Sequence, residues 1–387
     1  MNASLTSTSD VSEALRNAKN SLRIVGSGNW LDAGRPVQAD ETINTSGLSG
    51  IVEYVAGDLT MTVRAGSTLA ELDEAAAREG QWMGIDPVGS TSGTIGATVA
   101  TASAGPLSHG IGRMRDIVLG VEVVAGNGDI VRSGGKVVKN VAGFDLTRLQ
   151  VGAWGTLGVI TEISLRLRAR PEVDETICIA LDSRKPLQAH LVALREIPLA
   201  ALAVELIAPS LAKLLALGET HFLLARLGGN ETLVRAQRAA LSILGGTSTV
   251  EPTVWNSIRA FENNEFAVVR VSHLPSQLEN SWIHAYNEVF SVMHAPCFMH
   301  STISRGLVRV AIPKSTILSP DEHLAALTRI VSTIAPPGGH AVWEQLPAQL
   351  WKNLPSAVGD DLSTGLKRAF DPAGICNPGI LGNSVPR

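Results

Sequence analysis

RIVGSGNWLDAG (residues 23–34) follows an apolar run with two glycine steps, Gly26 and Gly28, and so invites comparison with the dinucleotide fingerprint G-x-G-x-x-G. That fingerprint needs a third glycine for close helix–strand packing and an acidic residue about twenty positions on for the ribose. Leu31 occupies the third position, and Asn44, Thr45 and Ser46 stand near the place of the acid. A Rossmann turn is therefore disfavoured. What remains is a short loop of small residues whose backbone N–H groups can turn inward as an anion nest, with a plain inter-strand turn as the alternative.

A second loop bears on that choice. IDPVGSTSGTIGATVATASAGPLSHGIG (residues 85–112) excludes large side chains over most of its length, while Ile85, Ile95, Val99 and Ile111 are spaced to anchor it on a core. Two such loops in one domain can hold a diphosphate between them. Around them, LRIVG, GIVEYVA and MTVRAG read as strands, TLAELDEAAAREG as a helix with a glycine stop, and IVLGVEVVAGNGDIVRSG as two strands around Gly126-Asn127-Gly128. The pattern predicts a strand-rich α+β fold without the regular β-α-β alternation of a doubly wound sheet. A boundary falls near residue 171, where Pro171 closes the strand of WGTLGVITEISLRLRARP. From residue 172 to 335 strands alternate with amphipathic helices, which predicts a sheet covered by helices on one face. The tail, residues 336–387, carries a helix stopping at Asp371-Pro372.

Composition narrows the function. The chain of 387 residues is 45% hydrophobic and 18% charged, with a net charge of -4 and no run of like charges, so nucleic acid finds no electrostatic footprint. Cys178, Cys297 and Cys376 are far apart and form no C-x-x-C pair, which argues against disulfides, zinc sites and iron–sulfur clusters. The N-terminus shows no basic segment followed by an apolar run, and the most apolar stretch, residues 199–218, is broken by Glu205, Pro209 and Lys213. A cytoplasmic protein that meets a membrane only through partners is the expectation.

Taken together, VGSGNW, DPVGSTSGTIGATVATASAG, MRDIVLGVEVVAGNGDIV, KVVKNVAGFDLTRLQVGAWGTLGVITEISLRL and FDPAGICNPGIL resemble the PCMH-type FAD-binding fold of the vanillyl-alcohol oxidase superfamily. Within it they are most similar to the FAD-binding subunits of bacterial glycolate oxidases. The resemblance is dense over residues 20–171 and returns at residues 338–381. It implies a PCMH-type FAD-binding domain at 1–171, an α+β cap domain for substrate or partner at 172–335, and a segment at 336–387 that packs back on the FAD domain. Carried over by position, it places the first pyrophosphate loop on Gly26, Ser27, Gly28 and Asn29. The second falls on Thr91, Ser92, Gly93, Thr94, Gly96 and Ala97 and continues to Ser103 and Gly105. His109-Gly110 matches an aromatic-glycine pair beside the flavin. Gly155, Gly158, Val159 and Ile160 match a strand meeting the ribityl or adenine part, and Asn377 joins the set from the tail. One departure stands out: where the family commonly has an acid before the GTLG block, this chain has Trp154. Non-covalent FAD is expected, because the first loop holds no histidine or cysteine for attachment and His109 is the nearest candidate.

The resemblance implies oxidation of glycolate or a related 2-hydroxy acid, with hydride transfer to FAD and electrons passed to an iron–sulfur subunit, in a complex with a larger FAD-linked subunit. Such chemistry needs a base and a cation for the carboxylate. His340 is the candidate base, after two glycines; Arg113, Arg115 and Arg305 are candidate carboxylate partners. The histidine-rich stretch H-G-H-x-G-D-G-N of the larger subunits is absent, His294 and His300 form no known metal spacing, and no metal is assigned. A non-catalytic flavin-binding or electron-relay subunit is the alternative; a free-standing NAD enzyme is disfavoured by Leu31.

Overall fold

The computed structural model describes residues 5–135, 145–263, 265–314 and 318–382. The KVVKNVAGF stretch, on which part of the resemblance rests, lies outside them. The chain forms two compact units: residues 1–104, 113–170 and 355–387, and residues 105–112 with 171–354. The segment 105–112 thus groups with the second unit, and the C-terminal return to the first begins at Pro355, not at 336. Among the described residues no helix is long and apolar enough to cross a membrane.

The first unit is built on three small sheets. Strands β1 (Leu22–Val25) and β2 (Glu41–Asn44) form a parallel pair. A five-stranded antiparallel sheet uses β3 (Ile51–Val55), β4 (Thr60–Arg64), β6 (Val118–Val124), β7 (Ile130–Gly134) and β8 (Val159–Arg166), in the order β3-β4-β8-β6-β7. Between them in sequence, β5 (Gln81–Trp82) pairs with β9 (Arg168–Ala169). Since the parallel pair is separate from the larger sheet, the described residues form no doubly wound sheet, in line with the α+β expectation. Local chemistry sets the elements. Thr68 and Glu71 form a reciprocal capping box that starts the helix Leu69–Ala77, and Gly128 at φ +83° closes the turn that lets β6 and β7 pair from Val124 and Ile130 upward. One core cluster joins Val11 and Leu15 of the first helix to Leu22, Val124, Val159, Ile375 and Cys376, so the returning tail is part of this core.

The second unit carries one antiparallel sheet of eight strands: β10 (Val173–Ala180), β11 (Ala203–Ile207), β12 (Phe222–Gly229), β13 (Thr247–Thr249), β14 (Phe266–Ser272), β15 (Phe298–Thr302), β16 (Leu307–Pro313) and β17 (His340–Gln345). Their order is β13-β10-β12-β11-β15-β16-β14-β17. The expectation of helices on one face only is incorrect. Ile177 and Ile179 join the large core cluster with helix residues such as Leu191 and Trp282, while Cys178 between them packs with Leu211, Trp255 and Ile258 on the other face. Alternation along a strand sends successive side chains to opposite faces, and both are apolar here.

On that second face five elements contribute charge. His300 Nδ1 on β15 bonds Glu205 Oε2 of β11 at 2.6 Å, and its Nε2 stands 3.7 Å from Glu262. Arg309 on β16 makes a two-pronged contact with Glu262 at 2.9 and 2.5 Å and a 2.6 Å bond to Glu344 of β17, which Arg270 of β14 meets at 3.4 Å. Burial opposes a charge on His300, but the hydrogen bonds and charges of Glu205 and Glu262 outweigh it and hold its pKa up at about 9. His300 is thus an internal ion-pair partner.

Candidate functional site

In the first unit a cleft opens where the end of β1, the helix Ile95–Thr101, the turn Trp154–Gly158 and the tail residues Asn377 and Ile380 converge. Gly26, Gly28, Asn29, Gly96, Ala97, Gly155, Gly158, Val159, Ile160 and Asn377, all singled out in the sequence, line it. The two glycine loops meet directly. A Cβ on Gly26 would stand 2.4 Å from Thr94 Oγ1, and one on Gly93 would stand 3.2 Å from Asn29 Nδ2. Gly28 takes φ +89°, open to glycine, and turns the first loop over the cleft. Among the described residues the backbone N–H groups of Gly26, Ser27, Gly28 and Asn29 have no hydrogen-bond partner, and the only charged residue lining the cleft is Arg23, whose guanidinium donates to Leu31 O at 2.5 Å. Unpaired amides, one cation and no carboxylate suit an anionic diphosphate, and the apolar remainder suits the flat rings attached to it.

The second loop plays a different part from the one its glycines suggest. Gly96 N–H donates to Ala65 O at 2.8 Å, Ile95 N–H to Ser67 O at 2.9 Å, and Ala97 N–H to Thr94 Oγ1 at 3.4 Å. The helix start is therefore satisfied from within. A Cβ on Gly96 would meet Ala65 Cβ at 2.7 Å and Ala65 O at 2.8 Å, so Gly96 permits close packing of the helix on the end of β4 and offers no amide to a ligand. Thr94 is buried as the helix cap, Gly93 O and Thr91 O accept from Leu69 and Ala70, and Ser92 Oγ bonds Ser90. Ser103 Oγ accepts from Val88 N–H at 3.2 Å. Gly158, at φ +132°, faces Val124 O, which a Cβ would meet at 2.3 Å.

The tail builds one wall. Asn377 Oδ1 accepts from Ile24 N–H at 2.8 Å, and its Nδ2 donates to Trp154 O at 2.8 Å. Leu22 N–H donates to Ile375 O and Asn377 N–H to Leu22 O, tying the tail to β1. Behind it, Lys367 Nζ reaches Thr156 O and Asp371 Oδ2 at 2.5 Å and Cys376 O at 3.1 Å. Trp30 and Trp154 meet edge to face, centroids 6.1 Å apart. Sequence reasoning missed Arg23, Trp30 and Trp154 as lining residues; the departure from the family at Trp154 was the available signal.

Other candidates stand elsewhere. Gly105, His109 and Gly110 belong to the second unit, where Gly110 N–H donates to Leu202 O at 3.1 Å. His109 Nδ1 is buried without a partner, and burial together with the Arg305 charge pushes its pKa down to about 4. Arg305 Nε donates to Ser108 O at 2.7 Å. His340 is exposed at the start of the edge strand β17 and paired through its backbone with Ser272. His294 caps a helix at φ 49° and is exposed. Arg113 is exposed, and Arg115 lies 3.8 Å from Asp116. Among the described residues no cluster of histidine, cysteine and carboxylate groups could hold a metal.

Two glycine loops thus close on a cleft with no carboxylate among its described lining residues. Residues 3–134 match the model of the FAD binding domain family. Among curated relatives, the chain is 36% identical over 245 residues to glycolate oxidase subunit GlcE of Escherichia coli, covering 62% of this chain and 64% of the relative. It is 42% identical over 115 residues, 30% of this chain and 20% of the relative, to the mitochondrial cytochrome D-lactate dehydrogenase of Arabidopsis thaliana. The chain thus spans less than two thirds of each. The solved structure of an alkyldihydroxyacetonephosphate synthase shares the fold, with a TM-score of 0.70 at 18% identity over 96% of this chain and 75% of that one.

Proposed function

We propose that this chain is the FAD-binding subunit of a 2-hydroxy-acid oxidoreductase complex of the glycolate oxidase type. The observation that carries the proposal is the convergence of both glycine loops and the tail on one cleft, in a unit whose residues 3–134 match the FAD binding domain family. In it, the amides of Gly26 to Asn29 and the Arg23 guanidinium hold the diphosphate, and the Trp30–Trp154 wall and Ala97, Gly155 and Ile160 enclose the rings. The second loop supports this cradle by packing. No described residue lining the cleft is a histidine or cysteine, which supports non-covalent attachment. When bound, FAD supplies the hydride acceptor for a glycolate-like or D-lactate-like substrate. The chain's own contribution at the cleft is to bind and orient, because none of its described lining residues is a carboxylate or histidine that could take a proton. That last observation favours a second reading, in which the subunit binds flavin and relays electrons while the larger flavin subunit supplies the base.

In both readings partners reoxidise the flavin; the chain's own three cysteines are all buried. Stable association with a larger FAD-linked subunit and an iron–sulfur subunit is proposed. Co-expression of the three followed by size exclusion tests it: a common peak containing yellow flavin is expected. A chain that elutes alone and oxidises glycolate with oxygen at ordinary enzyme rates would replace the subunit reading with a self-sufficient oxidase.

A further inference from the structure

Asn377 uses both ends of its amide on the protein, not on a ligand. Its Oδ1 takes Ile24 N–H and its Nδ2 holds Trp154 O, each at 2.8 Å, so one side chain bridges the last turn of β1 and the turn opposite. That opposite turn is unusual. Trp154 has φ +54° and Gly155 has φ +65°, a left-handed pair in which a tryptophan occupies a conformation that L side chains seldom adopt. The strained turn is held at both peptide ends: Trp154 N–H donates to Ala100 O at 2.8 Å, and its carbonyl is captured by Asn377. Gly155 is kept small by the same contact, since a Cβ there would stand 2.8 Å from Asn377 Nδ2. The outcome is the placement of one ring. Trp154 packs beside Gly34, where a Cβ would meet the indole at 3.1 Å, and meets Trp30 with the two ring planes perpendicular at the wall of the cleft.

We propose that Asn377 is a positioning residue that fixes the left-handed Trp154–Gly155 turn, so that the Trp30–Trp154 pair forms an aromatic wall for a flat ring of the flavin nucleotide. The proposal rests on the assignment of this cleft to FAD and goes beyond it. A planar aromatic surface held in place by protein hydrogen bonds recognises a flat ring without reorganising when the ring arrives. The tail, more than two hundred residues from Trp154 in sequence, is thereby a working part of the cleft.

The test is titration of the FAD-free full chain with FAD, followed by flavin fluorescence, alongside the melting temperature of the FAD-free protein. Asn377→Asp keeps the acceptor for Ile24 N–H but turns a carboxylate oxygen toward Trp154 O; it should weaken FAD at least tenfold. Trp154→Gly removes the ring while leaving a residue free to keep the left-handed turn, so it should weaken FAD at least as much, by more than its change in melting temperature accounts for. Leu15→Ala, in the same unit's core and away from the cleft, should lower the melting temperature and leave affinity unchanged. FAD affinity within twofold of wild type in Asn377→Asp or in Trp154→Gly, or affinity that simply follows melting temperature across all three variants, would overturn the proposal. Ala97→Trp, which fills the cleft, separates the two levels: if it binds FAD normally, the cleft assignment fails as well, whereas loss there with normal binding in Asn377→Asp sinks only the role given to Asn377.

Discussion

Two buried residues show how neighbours decide what a side chain does. Gly96 looks from the sequence like an amide donor to a diphosphate, yet its N–H and its missing side chain both serve Ala65. Gly96→Leu should therefore lower the stability of the FAD-free chain, by about 1–3 kcal/mol or more, as overpacking does, together with its flavin content. Flavin lost at unchanged melting temperature would instead place that side chain against the ligand. His300 offers a pH test. Its pKa is raised to about 9 in the folded chain, against roughly 6.5 for an unfolded imidazole. The stabilisation is fully present below the unfolded value and is lost as pH rises through about 9, on the order of 3 kcal/mol in all. Urea midpoints should fall between neutral pH and pH above 9, and His300→Gln should be less stable at neutral pH with a flatter dependence. Equal slopes in the two proteins would contradict the assignment of the proton to His300.

Among the elements, the strands of the first third were legible because short β-branched runs sit between glycine turns, and the absence of β-α-β alternation in the sequence excludes a Rossmann sheet. The second unit's sheet was only half legible. In TICIALD every position from Ile177 to Ile179 is apolar, so the sequence cannot say that both faces are covered. Nor can it pair Asn377 with Ile24, or Gly96 with Ala65, since those contacts join distant parts of the chain. The C-terminal helix Asp361–Phe370 illustrates what such contacts are worth. Lys367 is held by three oxygens, among them Asp371 Oδ2, whose carboxylate also accepts from Ile375 and Cys376 N–H. Lys367→Met leaves that buried carboxylate without its cation and should cost about 3–5 kcal/mol, read as a shift in the urea midpoint. A loss below about 1 kcal/mol, the range of an exposed pair, would show that the tail is not tied to the first unit in this way.

At the level of the complete chain, the cofactor site is supported by the family match and by the geometry of the cleft, while the base stays unassigned: His340 is an exposed strand end, and the cleft itself offers no proton acceptor. The sequence could propose His340 only from its place after two glycines, because the surroundings that would tune a base are tertiary. The most direct test of the central claim, that this chain's flavin takes part in oxidising a 2-hydroxy acid, is the visible spectrum of this chain's flavin in the complex with its partner subunits, one of which supplies the base, mixed without air with glycolate and, separately, with D-lactate. The account predicts that the yellow absorption bleaches with at least one of the two. A flavin that stays oxidised with both would contradict it and leave a flavin-binding subunit whose chemistry is done by its partner.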